Sequence, residues 1–167
     1  ENVLLNKVYT KLHKALFDLN ANNIGVSFPD YKVMLGGKIR LHGNAESLDK
    51  LQANNWLGGL FGYCVISNTQ KIPANVQYRN ISRKQSNMTQ SKLNRLIKRG
   101  TITAEQVYDY KAKMFTKGLD NPYVELESSS NGHKHRRYIE LGELKAEPTT
   151  SEFDFFGLSK LATIPWF

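Results

Sequence analysis

The sequence predicts an α+β fold, and three observations carry that reading. Apolar residues at helical spacing open the chain, short alternating segments bounded by glycine or proline follow, and the second half again mixes helical and alternating stretches. The 167 residues show no internal repeat, low-complexity tract or linker, which suits one domain or two small ones sharing a core.

Val8, Leu12, Ala15 and Leu16 recur at helical spacing, so an amphipathic helix is expected over about residues 2–19. Residues 24–28, Ile-Gly-Val-Ser-Phe, read as a strand stopped by Pro29. Gly36-Gly37 marks a turn, and residues 38–42 alternate as a second strand. Asn44 is placed to cap a helix of about residues 45–54 with Leu48 and Leu51 inward. Residues 56–62 read as a glycine-rich apolar connection and residues 63–66 as a strand. This order lacks only a leading strand to give the βαββαβ pattern of ferredoxin-like (RRM-like) folds, and this sequence does not contain that strand.

The second half is less regular. Residues 76–83 alternate and read as extended, and residues 91–99 form a short basic helix. Thr103 and Gln106 make a capping box for a helix reaching about Phe115, which Gly118 stops. Residues 123–126 and 136–141 read as two strands joined by residues 127–135. Residues 148–151 turn, and the end of the chain from Phe153 is apolar.

Charge narrows the function. Twenty-three basic residues against 15 acidic ones give +8, with a pI near 9.5. That surplus favours a polyanionic partner. Arg79, Arg83, Lys84, Lys92, Arg95, Lys98 and Arg99 fall between Gln77 and Gly100 with no acidic residue among them. A solvated face normally mixes both signs, so this run points to nucleic acid. A second cluster, His133-Lys134-His135-Arg136-Arg137, follows. No apolar run approaches the ~20 residues of a membrane span. The lone Cys64 excludes an internal disulfide or a cysteine-rich zinc site and fits a reducing cytoplasm. His133 and His135 lack a neighbouring cysteine or ordered carboxylate to complete a metal site, so no metal or other cofactor is expected. On these grounds residues 1–72 read as the ferredoxin-like half and residues 73–167 as a nucleic-acid-binding half with a basic helix, the two packed together.

Several strings, in order, carry a resemblance. Lys11-Leu12-His13-Lys14-Ala15-Leu16 precedes Ile24-Gly25-Val26-Ser27-Phe28-Pro29. Then come Tyr78-Arg79-Asn80-Ile81-Ser82-Arg83-Lys84-Gln85, Ser128-Ser129-Ser130-Asn131-Gly132, Gly157-Leu158-Ser159-Lys160 and the closing Pro165-Trp166-Phe167. No single string is specific, but their ordered co-occurrence resembles the CRISPR repeat-processing endoribonuclease of type I-F systems. The resemblance covers the whole chain apart from the leading strand. It implies binding of the CRISPR repeat hairpin, the 3′ handle of the guide RNA, and metal-independent cutting at its 3′ base in the cytoplasm. It also implies that the enzyme stays on its product with the other subunits of a type I-F interference complex.

Residue by residue, His13 matches the family's catalytic histidine. RNA carries its own nucleophile, the ribose 2′-OH, so scission needs a base or an orienting acceptor rather than a metal, and imidazole can accept that proton near neutral pH. Ser128 matches the serine that holds the nucleotide at the cut, in a turn-forming segment whose hydroxyls and amides can bind ribose or phosphate; Ser130 is a second candidate there. Phe156 departs from the family, which often has tyrosine at this position, and can pack on His13 without hydrogen-bonding to it. Arg83 and Gln85 match two base readers, suited to guanine O6/N7 and adenine N6/N7 near a helix end where the deep groove opens. Lys92, Arg95, Lys98 and Arg99 share one broad helix face opposite Leu93, Leu96 and Ile97, as a phosphate-tracking helix requires. His135 stands where the family has an aromatic residue that stacks on the terminal base pair. The runner-up expectation is a catalytically weak or silent subunit that only tethers the hairpin. A third is a general RNA-binding structural protein, against which the constellation of His13, Ser128 and the C-terminal motifs argues.

Overall fold

A computed structural model describes residues 2–85, 88–116, 120–127 and 132–167. The chain opens with α1 (Asn2–Asp18), which buries Leu5, Tyr9, Leu12 and Leu16 along one stripe. Tyr9 lies at the centre of that stripe, fully buried, and Val8 beside it is only half-buried. Strands β1 (Gly25–Ser27) and β2 (Arg40–His42) pair antiparallel, with Val26 opposite Leu41. Asn44 caps α2 (Ala45–Ala53) by accepting from the Ser47 amide at 2.8 Å, as its side chain and position predict.

The strand expected at residues 63–66 is not formed. A 3-10 helix runs over Gly58–Tyr63, and the chain then continues irregularly with Val65 fully exposed at 105% and Ile66 at 39%. A run of apolar side chains stabilises a strand only where one face is covered, and here neither face is. Helix, two antiparallel strands and helix are therefore present, and the strand that would follow them is not.

The extended stretch at residues 76–83 divides at Asn80 into β3 (Gln77–Arg79) and β4 (Ile81–Lys84). The two strands join different sheets. β4 lies beside β6 (Lys134–Leu141), which lies beside β5 (Tyr123–Glu127), all antiparallel. β3 pairs with β7 (Ile164–Trp166), with Tyr78 opposite Pro165. β7 was not legible from periodicity because proline lies at its centre; a strand paired on one side only tolerates the missing donor. Between β4 and β5 lie α3 (Gln90–Lys98) and α4 (Ala104–Thr116). The capping box at the start of α4 is formed in both directions: the Thr103 amide donates to Gln106 Oε1 at 2.9 Å and the Gln106 amide to Thr103 Oγ1 at 3.3 Å. The expected stop at Gly118 lies outside the described residues.

One core joins the two halves. The α1 stripe, Val26, Phe28 and Leu51 pack with Ile81, Val124, Leu126, Ile139, Leu158 and Ile164. α1 is also pinned to β5 by the Glu125 amide, which donates to Asn6 Oδ1 at 3.0 Å. Among the described residues no helix is long and apolar enough to cross a membrane.

Candidate active site

His13 lies on α1 one turn beyond Tyr9 and is half-buried. Its Nδ1 is 2.9 Å from the Phe155 carbonyl oxygen. A carbonyl can only accept, so Nδ1 carries the proton, and in the neutral ring Nε2 keeps its lone pair. Burial lowers the His13 pKa below the ordinary 6.5. The bond to Phe155 works against that shift and Arg137 adds to it; smaller effects come from Asp154, which raises the pKa, and His135, which lowers it. The net direction favours a neutral imidazole at neutral pH, with Nε2 as a free acceptor.

The groups that hold His13 come from a tight turn near the end of the chain. Asp154 Oδ1 accepts from the amides of Phe156 and Leu158, each at 2.9 Å, and the Gly157 amide donates to the Asp154 carbonyl at 2.8 Å. Gly157 has φ +70°, and a Cβ there would lie 2.3 Å from Val26 Cγ2, so only glycine fits. Two bonds tie the turn to the core: the Val26 amide donates to the Gly157 carbonyl at 2.9 Å, and the Tyr9 hydroxyl donates to the Phe156 carbonyl at 2.7 Å. Burial, with the Asp154 carboxylate adding to it, pushes the Tyr9 hydroxyl far up, which keeps it a donor.

Phe156 is stacked on His13, with 3.6 Å between ring centroids and 11° between planes. The Arg137 guanidinium carbon is 3.4 Å from the same Phe156 centroid. Two groups that close cannot share a face, so the Phe156 ring lies between imidazole and guanidinium.

Strand alternation explains how β6 supplies its part. His135, Arg137 and Ile139 share one face, opposite Leu126, Val124 and Arg83 respectively. Ile139, Val124 and Leu126 carry the core, while His135 and Arg83 are exposed towards the sheet end. His13, Phe156 and the vicinity of His135 are thus brought together. Arg83 and Gln85 lie beside one another on the strand end: with its amide oxygen turned towards Arg83, Gln85 lies 3.3 and 3.2 Å from the two terminal guanidinium nitrogens. Both are exposed, as base readers must be.

The basic run divides by role. Arg79 donates to the Gly142 carbonyl at 2.9 and 2.7 Å and stacks on Trp166, so it is a structural arginine. Lys84 is ion-paired with Glu140. Lys92, Arg95, Lys98 and Arg99 are exposed on or at the end of α3, which Thr89 caps and Leu93 anchors. Ile97, expected inward, is 49% exposed, because a nine-residue helix that buries Leu93 has little second face to cover. Ser128 and Ser130 lie outside the described residues.

Sequence reasoning missed two contributors. Arg137 was read only as part of a charge cluster, although alternation with Ile139 would have placed it on the inner face. The Phe155 carbonyl carries no side-chain signal at all, since any residue would supply it.

Comparison with known proteins gives the family. A family model described as CRISPR-associated protein (Cas_Csy4) matches residues 1–167. The chain is similar to a protein of Escherichia coli (strain UTI89 / UPEC) named CRISPR-associated endonuclease Cas6/Csy4, with 38% identity over 99% of this chain and 90% of that one. It is also similar to the protein of the same name from Pseudomonas aeruginosa (strain UCBPP-PA14), with 33% identity over 98% of this chain and 90% of that one.

Proposed function

The chain belongs to the Cas_Csy4 family of CRISPR-associated proteins, and from that premise we propose that it is a metal-independent endoribonuclease of the CRISPR repeat hairpin. In this reading the ribose 2′-OH at the 3′ base of the hairpin attacks the adjacent phosphorus. The 2′-oxygen–phosphorus bond forms, the phosphorus–5′-oxygen bond breaks, and the 2′ proton passes to His13 Nε2. The departing 5′ oxygen takes a proton from the imidazolium or from water. The 5′ fragment then ends in a 2′,3′-cyclic phosphate.

The observation that carries this reading is the His13–Phe155 bond, which leaves Nε2 unprotonated and available. Ser128 and Ser130 hold the nucleotide at the cut, His135 stacks on the terminal base pair, and Arg83 with Gln85 reads bases. Lys92, Arg95, Lys98 and Arg99 follow the phosphates. Residues 73–167 therefore grip the RNA, and residues 1–72 bring the base. Because the product keeps every hairpin contact, the protein stays on its guide RNA, as a subunit of the interference complex would.

A second reading, a hairpin tether that cuts weakly or not at all, is favoured by one feature: Phe156 offers no hydroxyl as a proton donor beside His13. Incubation with repeat RNA in EDTA separates the two. The endoribonuclease cuts and leaves a cyclic phosphate or its hydrolysis product, and a substrate with one 2′-deoxy sugar at the cut binds but stays whole. Tight binding without cutting supports the tether; a requirement for added metal sinks the proposed chemistry.

A further inference from the structure

Arg137 is a buried cation in an unusual setting. It is 7% exposed, and its Nε is buried with no hydrogen-bond partner among the described residues. None of the ion pairs recorded among the described residues includes it. Burial of a guanidinium with no carboxylate at ion-pairing distance among the described residues is unfavourable, so its retention there calls for a specific role. What it does touch is the face of Phe156 remote from His13.

The peptide of Phe156 is fixed by Tyr9 and Asp154, but its ring is not. Phenylalanine has no polar atom to orient it, so packing sets the plane of the ring: the Tyr9 ring lies alongside it, tilted by 32° at 6.3 Å, and the closest contacts are on its two faces. One face has the imidazole; the other has the guanidinium, a planar cation that binds well to an aromatic face. We propose that Arg137 is a positioning residue for the cleavage reaction: it clamps Phe156 flat against His13 and so fixes the imidazole for the 2′-OH.

This inference rests on the endoribonuclease reading and adds a residue to it. The clamp has a geometric and an electrostatic consequence. Geometrically, the plane of His13 is fixed by the Phe155 bond at one edge and by the Arg137-backed ring on one face. Electrostatically, the groups facing His13 are Arg137 and His135 on β6 and Asp154 on the turn, and the arginine disfavours the imidazolium. Arg137 in turn faces Arg83, Tyr9 and Asp154. Burial, with Arg83 next, lowers its own pKa, yet a guanidinium has so high a starting value that it stays charged.

The test uses Arg137→Met, similar in length and uncharged, and Arg137→Lys, charged but without the planar fork. Single-turnover cleavage at saturating hairpin should slow about tenfold in Arg137→Met, as small misplacements of a catalytic group do, with hairpin affinity within about twofold of the parent. The acid limb of its pH–rate profile should move to higher pH. Arg137→Lys should return that limb towards the parent while recovering only part of the rate. NMR titration of the His13 ring protons in parent and Arg137→Met reads the same effect without any cleavage, so a parent that fails to cut would refute the nuclease reading and leave this test intact. Thermal melting confirms that both variants fold. An unchanged rate and unchanged His13 titration in a folded Arg137→Met would overturn the proposal. Weakened affinity with a normal rate on saturating RNA would make Arg137 an RNA contact instead.

Discussion

The ring of Phe156 and the imidazole of His13 lie face to face, 3.6 Å between centroids and 11° from parallel. The contact covers one face of the imidazole. Phe156→Ala should uncover His13 and leave a gap between α1 and β6. We expect a loss of about 2–3 kcal/mol in stability, less than the ~3–5 kcal/mol of a fully buried aromatic because Phe156 is half-buried, and slower cleavage of bound RNA. Phe156→Tyr should keep the stack and the stability. Chemical denaturation and single-turnover rates check both; an alanine variant as stable and as fast as the parent would make the stack incidental.

His42 makes stability depend on pH. Burial, helped by the nearby Arg40 cation, pushes its pKa down to about 4, and Ser27 Oγ lies 2.7 Å from its Nε2. Above the ordinary value of 6.5, both folded and unfolded chains hold it neutral and nothing is lost. Below that, the unfolded chain takes up a proton that the folded chain refuses until about pH 4. Stability therefore falls between pH 6.5 and 4, by up to about 3 kcal/mol from this group. Urea midpoints of the parent should decline across that window more steeply than those of His42→Gln. Parallel declines would assign the pH dependence to other groups.

Binding should weaken steeply with salt, because phosphate contacts release counterions. Lys98 and Arg99, exposed at the end of α3, are expected to contribute about one unit each to the slope of log affinity against log salt. Affinities of the parent and of the Lys98→Ala/Arg99→Ala double variant from low to high salt give that slope directly. An identical slope would remove this end of the helix from the RNA.

How much of this was legible in the sequence depends on the distance over which each signal acts. Local signals were reliable: the Asn44 cap and the Thr103–Gln106 box form as the spacing requires, because their partners are three residues apart. Periodicity located α1 and β6 but not the strand assignment at residues 63–66, where apolar character without alternation or cover misled. β7 escaped because its stability comes from β3, some 85 positions away, and not from its own Ile-Pro-Trp. At the candidate site, His13 and Phe156 were singled out through ordered motifs. Their stacking, the Phe155 carbonyl and the burial of Arg137 were not, since each depends on a turn joined to α1 across 142 residues.

Arg83 is expected to choose the hairpin. It is exposed near the end of β4 with the Gln85 side chain beside it. Arg83→Ala should lose about 1–3 kcal/mol on the correct hairpin and little on one whose terminal guanine pair has been exchanged. Equal losses on both RNAs would reassign Arg83 to the phosphates.

The last prediction separates cutting from holding. His13 touches Phe155 and Phe156, whereas the grip on RNA is assigned to α3, Arg83 and Gln85. His13→Ala should therefore keep hairpin affinity within about twofold and lose about 10²–10⁴-fold in cleavage rate, the usual cost of removing a general base. The pH profile gives an independent check. A base acts in its neutral form, and burial holds the His13 pKa below 6.5. The parent rate should accordingly reach half of its plateau below pH 6.5 and fall further on acidification, as the imidazole takes up its proton. His13→Ala should lack that acid limb in whatever slow cleavage remains. A parent whose rate rises through pH 7 and above would place the titrating base elsewhere, and normal cutting by His13→Ala would show that another group receives the 2′ proton.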